Sequence, residues 1–189
     1  PKYYGINYRS YPVGTKVETF SVELVEQNKD KILYVDSLLR NYPSYEKGTL
    51  LTESKELFSK DSLSVALPEG TNAVRLLSIN IQVDSVHYEQ AMREQIIKMS
   101  FDGVETVTVP LSDFSGAGMG ARKSDSWYVS ADGKGHVLSR WVMPYQKNAV
   151  FKLVNLSSTT VKADIEIRVD DWKWDEPVSY THLTLPTKA

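Results

Sequence analysis

IIKMSFDGVETVTVPLSDFSGAG at 96–118, SDSWYVSADGKG at 124–135 and HVLSRWVMPYQKNAVFKLVN at 136–155 decide the fold class. Short β-rich runs alternate with turns at Asp102-Gly103, at glycines 116, 118 and 120, and at Asp132-Gly133. Asp-Gly supplies the positive-φ pair that a tight hairpin needs, so this punctuation predicts an antiparallel β-sandwich. Working outward, period-two alternation predicts strands at Leu63–Leu67, Val74–Val83, Ile96–Phe101, Thr106–Leu111, His136–Met143, Ala149–Asn155 and Val161–Val169. His87–Arg93 reads as a short helix or helical turn. Upstream, Tyr4, Ile6 and Tyr8 alternate with Tyr3, Gly5 and Asn7 and predict a strand over Tyr3–Tyr11, with a second extended run at Thr15–Phe20. Ser21 is placed to cap a helix over Val22–Asn41, on which Val25, Ile32, Val35 and Leu39 form one apolar stripe. Tyr42-Pro43-Ser44 ends that helix, and residues 43–62 read as a polar connection with a short extended piece at Thr49–Thr52.

The 189 residues hold 22 Lys+Arg against 24 Asp+Glu, a net charge of -2, with no basic block of the kind that grips a phosphate backbone. Nucleic acid is therefore not an expected partner. The chain has no cysteine, which excludes disulfides, thiolate metal sites and a cysteine nucleophile. No apolar run approaches the ~18 residues of a membrane span. Pro1 has the look of an internal position. Residues 178–187, VSYTHLTLPT, resemble a translated sequencing adapter, so 178–189 is set aside and the chain is expected to be a piece cut on both sides.

The glycine-rich loop at 116–120 runs into Arg122-Lys123-Ser124-Asp125-Ser126, which reads as loop. A phosphate cradle needs a helix there, so no nucleotide site is expected. His87, His136 and His182 form no ligand spacing, and no metal or other cofactor is expected. Asp170-Asp171 lie beside Trp172 and Trp174, but neighbours on a strand face opposite ways, and the pair reads as a solvated strand end. The expected substrate contacts are Asp113 and Phe114 at the exit of a strand, with Trp127 and Tyr128 in the following loop. Asp113 is placed to hydrogen-bond a ligand hydroxyl and the aromatics to stack on a ring. The other reading keeps Asp113 as a turn cap and the aromatics as packing. Trp141 reads as core or rim packing.

Four stretches carry a family resemblance: YYGINYRSYPVGTKVETFS at 3–21, KMSFDG at 98–103 with PLSDFSGAG at 110–118, RWVMPYQKNAVFKLVNL at 140–156, and DDWKWDE at 170–176. In this order they resemble domain-of-unknown-function family 2961, which includes glycoside hydrolase family 172. Ser115 stands where the family usually has a second Phe, which changes the shape of the adjacent pocket. The resemblance implies a double jelly roll that assembles as trimers or multiples of them and acts on fructofuranosides and related furanosides. It implies two catalytic glutamates, in W-G-E-G-D-E and G-T-G-T-E-D-Y motifs, and neither motif occurs in this sequence. No catalytic residue is therefore assigned. The expected organisation is the end of a first jelly roll with helix and connection over 1–62 and an incomplete second jelly roll over 63–177. The expected partners are carbohydrate and, for the full-length parent, copies of itself. A non-catalytic carbohydrate-binding or oligomerisation jelly roll is the alternative.

Overall fold

A computed structural model of the chain describes residues 10–17, 19–42 and 44–174. The expected strand at Tyr3–Tyr11, apart from its last two residues, and the segment 178–189 lie outside the described residues. The chain divides into two compact units after Tyr42.

The first unit holds two helices, α1 (Val22–Gln27) and α2 (Lys29–Arg40). Ser21 caps α1 as expected, its Oγ accepting from Leu24 N at 3.3 Å. The single helix expected over 22–41 is broken at Asn28, whose amide donates to Leu24 O at 2.8 Å and so competes with the helical ladder. No residue of either helix is buried, so the Val25, Ile32, Val35 and Leu39 stripe faces solvent. The described residues of the expected extended run at Thr15–Phe20 form no strand, and Val17 and Phe20 are exposed there.

The second unit is a β-sandwich. Its strands are β1 (Thr49–Leu57), β2 (Ser62–Ala66), β3 (Asn72–Gln82), β4 (Gln95–Phe101), β5 (Val104–Pro110), β6 (Ser124–Asp125), β7 (Val129–Ala131), β8 (His136–Ser139), β9 (Met143–Tyr145), β10 (Ala149–Asn155) and β11 (Val161–Asp171). Two short helices, α3 (Tyr88–Glu94) and α4 (Leu111–Phe114), follow β3 and β5. All pairings are antiparallel. The larger sheet runs β1-β11-β3-β8-β7-β6 with β9 also on β3, and the smaller runs β2-β10-β4-β5.

Alternation explains the core. Val161, Ala163, Ile165, Ile167 and Val169 of β11 are buried while the residues between them are not, and Leu77, Ile79 and Ile81 repeat the pattern on β3. Phe151 and Leu153 of β10 and Ile97 and Met99 of β4 meet them from the smaller sheet. Packing leaves an apolar cavity of only about 10 Å³ between the sheets, too small for any ligand. At the Asp102-Gly103 turn both residues have positive φ, 53° and 84°, as a type I′ hairpin requires. Tyr145 is fully buried, donates to Pro68 O at 2.7 Å, and burial pushes its hydroxyl up to about 12.

β1 is longer than the piece expected at Thr49–Thr52. Its full length pairs with β11, from Thr49 opposite Val169 to Leu57 opposite Val161. Only Leu57 is buried. Polar residues such as Glu53 and Lys55 form a strand here because a distant partner supplies the ladder.

Candidate functional site

β5 ends at Pro110 and the chain turns into α4, anchored by the buried Leu111. Asp113 sits on this single turn rather than free at a strand exit. Its carboxylate accepts from Arg93 of α3, so the acid is presented together with a guanidinium. Phe114 is half-buried and packs against the core. Ser115 is buried, and its Oγ donates to Ser112 O at 2.8 Å. The glycine loop folds back on the helix, with Gly116 N donating to Asp113 O at 3.0 Å and Gly118 N to Ser112 O at 3.0 Å. Those amides are engaged with α4 carbonyls.

Trp127 and Tyr128 lie in the turn between β6 and β7. Ser126 closes it: its Oγ donates to Val129 O at 2.8 Å, and its backbone N–H donates to the same carbonyl at 3.0 Å. Tyr128 is exposed and stacks on Trp141, with ring centroids 4.2 Å apart and planes 12° apart. Arg140 holds this turn from the neighbouring strand end. Its N–H donates to Tyr128 O at 2.6 Å, and its guanidinium reaches Trp127 O at 3.4 Å and Ser130 Oγ at 3.2 Å. Trp141 is half-buried against the core, as packing would have it, but also serves as the floor on which Tyr128 rests. The two parts of the region are tied by Ser124 Oγ, which donates to Ser115 O at 2.6 Å. The region therefore offers a carboxylate paired with a guanidinium on one side and an aromatic stack on the other.

A further cluster escaped the reading of the sequence. Arg75 is the extra residue where the β3–β11 register shifts, so its side chain leaves the regular alternation. Its guanidinium lies 5.2 Å from the centroid of Tyr45 and 4.9 Å from that of Trp172. Tyr45 donates its hydroxyl to Asp170, and that hydrogen bond holds the Asp170 carboxyl below its ordinary value. Asp170 is thus engaged with Tyr45, while Asp171, exposed at the last position of β11, fits the solvated strand end expected for the pair. Arg168 donates to Glu46 O at 3.0 Å, so the segment before β1 is clasped onto the sheet. Tyr45 and Asp170 are 125 residues apart, and no local spacing announces them.

Among the described residues no group of three or more His, Cys, Asp or Glu could hold a metal ion, and no helix is long and apolar enough to cross a membrane. A family model described as GH172 domain-like matches residues 49–168. No curated protein matches the chain. Among solved structures, Aeromonas hydrophila PliG, a periplasmic lysozyme inhibitor of g-type lysozyme, is 12% identical with a TM-score of 0.31, over 68% of this chain and 93% of that one.

Proposed function

This chain belongs to the GH172 domain-like family, and from that membership we propose that it is a part of a glycoside hydrolase-like protein acting on fructofuranosides or related furanosides. The family match over residues 49–168 is the observation that carries the reading. The sandwich would be one jelly roll of a double jelly roll, and the parent would assemble as a trimer or a multiple of one. Retaining glycosidases need two carboxylates ~5–5.5 Å apart across the scissile bond. The glutamate motifs that supply them in the family do not occur in these 189 residues. The chain by itself is accordingly expected to be inactive.

Its contribution would be to position substrate. Asp113 and Arg93 together present an acceptor and a donor for sugar hydroxyls. Tyr128, exposed and backed by Trp141, offers a ring face for stacking, with Trp127 beside it. Phe114 would shape the wall from its half-buried place. The test is hydrolysis of aryl fructofuranosides and arabinofuranosides by a longer gene product carrying this segment and by the present chain. Turnover by the longer protein alone supports the proposal. Turnover by neither contradicts it, and favours the second reading, a carbohydrate-binding domain, for which the exposed Tyr128–Trp141 stack speaks. Asp113→Ala in the longer protein should lower kcat/KM roughly 10- to 100-fold while leaving turnover measurable, because orientation is lost but the covalent step is not.

A further inference from the structure

β1 is an edge strand. It pairs with β11 on one side, and among the described strands none pairs with its other side. It is long, nine residues, and all but Leu57 lie at or near the surface. A free edge of this length presents a row of N–H and C=O groups to any strand that can match it.

We propose that β1 pairs antiparallel with β1 of a second copy across a two-fold axis at Ser54, joining the two larger sheets into one. A two-fold perpendicular to the sheet keeps each face continuous, so the register is set by the residue on the axis. With Ser54 on the axis, Glu53 faces Lys55 of the second copy and Lys55 faces its Glu53. On the same face Leu51 meets Leu57. On the other face Thr52 meets Glu56, and Leu50 lies near Phe58, which follows the last residue of β1. Leu50 and Phe58 are large apolar side chains left 43% and 61% exposed. Moving the axis to Glu53 opposes two carboxylates and sets Lys55 against Leu51. Moving it to Lys55 opposes two ammonium groups and sets Glu53 against Leu57. Directly opposed charges stabilise or destabilise a strand pair by roughly 0.2–1 kcal/mol each, so the Ser54 register, with two opposite-charge pairs, is favoured over these neighbours.

Lys55 has capacity for the new contact. Its ammonium donates to Asp61 Oδ1 at 2.9 Å and Ser62 O at 3.0 Å, which leaves the third of its N–H groups. A lysine on an edge commonly blocks pairing with arbitrary strands. Here the same charge would admit one partner and refuse others. A single strand pair lies below the ~1,200 Å² of a stable interface, so the association is weak and concentration-dependent. It is a two-fold contact, separate from the three-fold assembly that the family resemblance implies.

The test is sedimentation equilibrium of the 189-residue chain over a wide concentration range, with circular dichroism to verify that each variant is folded. The wild type should dimerise. Glu53→Lys and Lys55→Glu each place like charges opposite one another twice and should weaken dimerisation roughly tenfold. The double variant E53K/K55E restores both opposite-charge pairs and should recover it. Because the chain has no cysteine, Ser54→Cys places a lone thiol on the axis. Directly opposed strand residues lie within disulfide reach, so mild oxidation should link two S54C chains. Thr52→Cys, which faces Glu56, should stay unlinked. A wild type that is monomeric throughout overturns the proposal and indicates that another segment or protein covers the edge. A dimer indifferent to the charge exchanges, or linked as readily through position 52 as through 54, overturns it in favour of another face.

Discussion

Asn155 is fully buried where β10 ends. Its amide donates to Leu57 O at 2.9 Å, Phe58 O at 3.2 Å and Thr159 O at 2.9 Å. Its oxygen accepts from Gln95 at 2.7 Å and from both N–H and Oγ of Ser157 at 2.9 and 2.6 Å. One side chain thus ties the end of β1 to β4 and to the β10–β11 turn. Removing it leaves several buried groups unpaired, each costing about 1–3 kcal/mol. Asn155→Ala should therefore lower unfolding free energy by roughly 3 kcal/mol or more in urea titration, and a loss under about 1 kcal/mol would refute this role. Gly135 has φ 120°, and a Cβ there would sit 2.1 Å from Ile81 O. Gly135→Ala must therefore displace β3 or the turn, and it should yield little folded protein. Asp102 accepts from the backbone N–H groups of Gln146, Lys147 and Asn148 at distances from 2.6 to 3.3 Å. These bonds, that from Gln146 foremost, hold its carboxyl below the ordinary 3.8. A folded value below the unfolded one means the stabilisation is complete above about pH 4 and is lost as pH falls through the lower folded value. The melting temperature of Asp102→Asn should thus lie below that of the wild type at neutral pH, with the gap closing as pH falls through the lowered folded value. A gap constant with pH would count against ionisation as its source.

At the level of elements, α2 and β11 show why apolar pattern alone does not predict burial. Ile32 and Val35 fall on a proper helical stripe, yet both are exposed, whereas Ile165 of β11 is buried in the core. Ile32→Ala with Val35→Ala should change stability by less than about 0.5 kcal/mol, while Ile165→Ala should cost roughly 2–5 kcal/mol. Comparable losses from the two would mean that the helical stripe is covered in solution. Strands β4, β10 and β11, and β3 from Leu77 onward, were legible in the sequence because each has one buried face and so alternates along it. β1 was legible only in its first residues. An edge strand buries little, so its side chains carry no period, and its partner lies more than a hundred residues away. The helix was legible in its start at Ser21 but not in its break, because Asn28 acts through one side-chain hydrogen bond that no periodicity records. Asp113 was singled out as a candidate from its place after β5, but its pairing with Arg93 depends on α3 packing beside α4. Tyr45, Arg75 and Asp170 meet through a register shift between distant strands, and sequence distance hides such a site.

For the whole molecule, the decisive fact is that the last described strand is not at an edge. β11 lies between β1 and β3. Thr49 pairs with Val169, so the first strand of the sandwich has no ladder until the chain is complete to the end of β11. β2 likewise waits for β10, through Leu63 opposite Leu153. Closing such long loops costs chain entropy before any contact repays it, and sheets built this way fold in milliseconds to seconds. Stopped-flow refolding of the chain should therefore show its main phase on that scale, and a main phase faster than about a millisecond would contradict the topology. The same reasoning sets the outcome of truncation. Ending the chain at Thr160 removes the central strand of the larger sheet and leaves Leu77, Ile79 and Ile81 of β3 without their neighbours Ile167, Ile165 and Ala163. It strips β1 of its ladder as well and turns a long interior edge of β3 outward. Such an edge templates association. The truncated chain should show no cooperative thermal transition and should aggregate, whereas ending it at Trp174 retains every described strand and should preserve the transition. A cooperative melt in the shorter chain would show that β11 is peripheral to stability and would overturn this account of the fold.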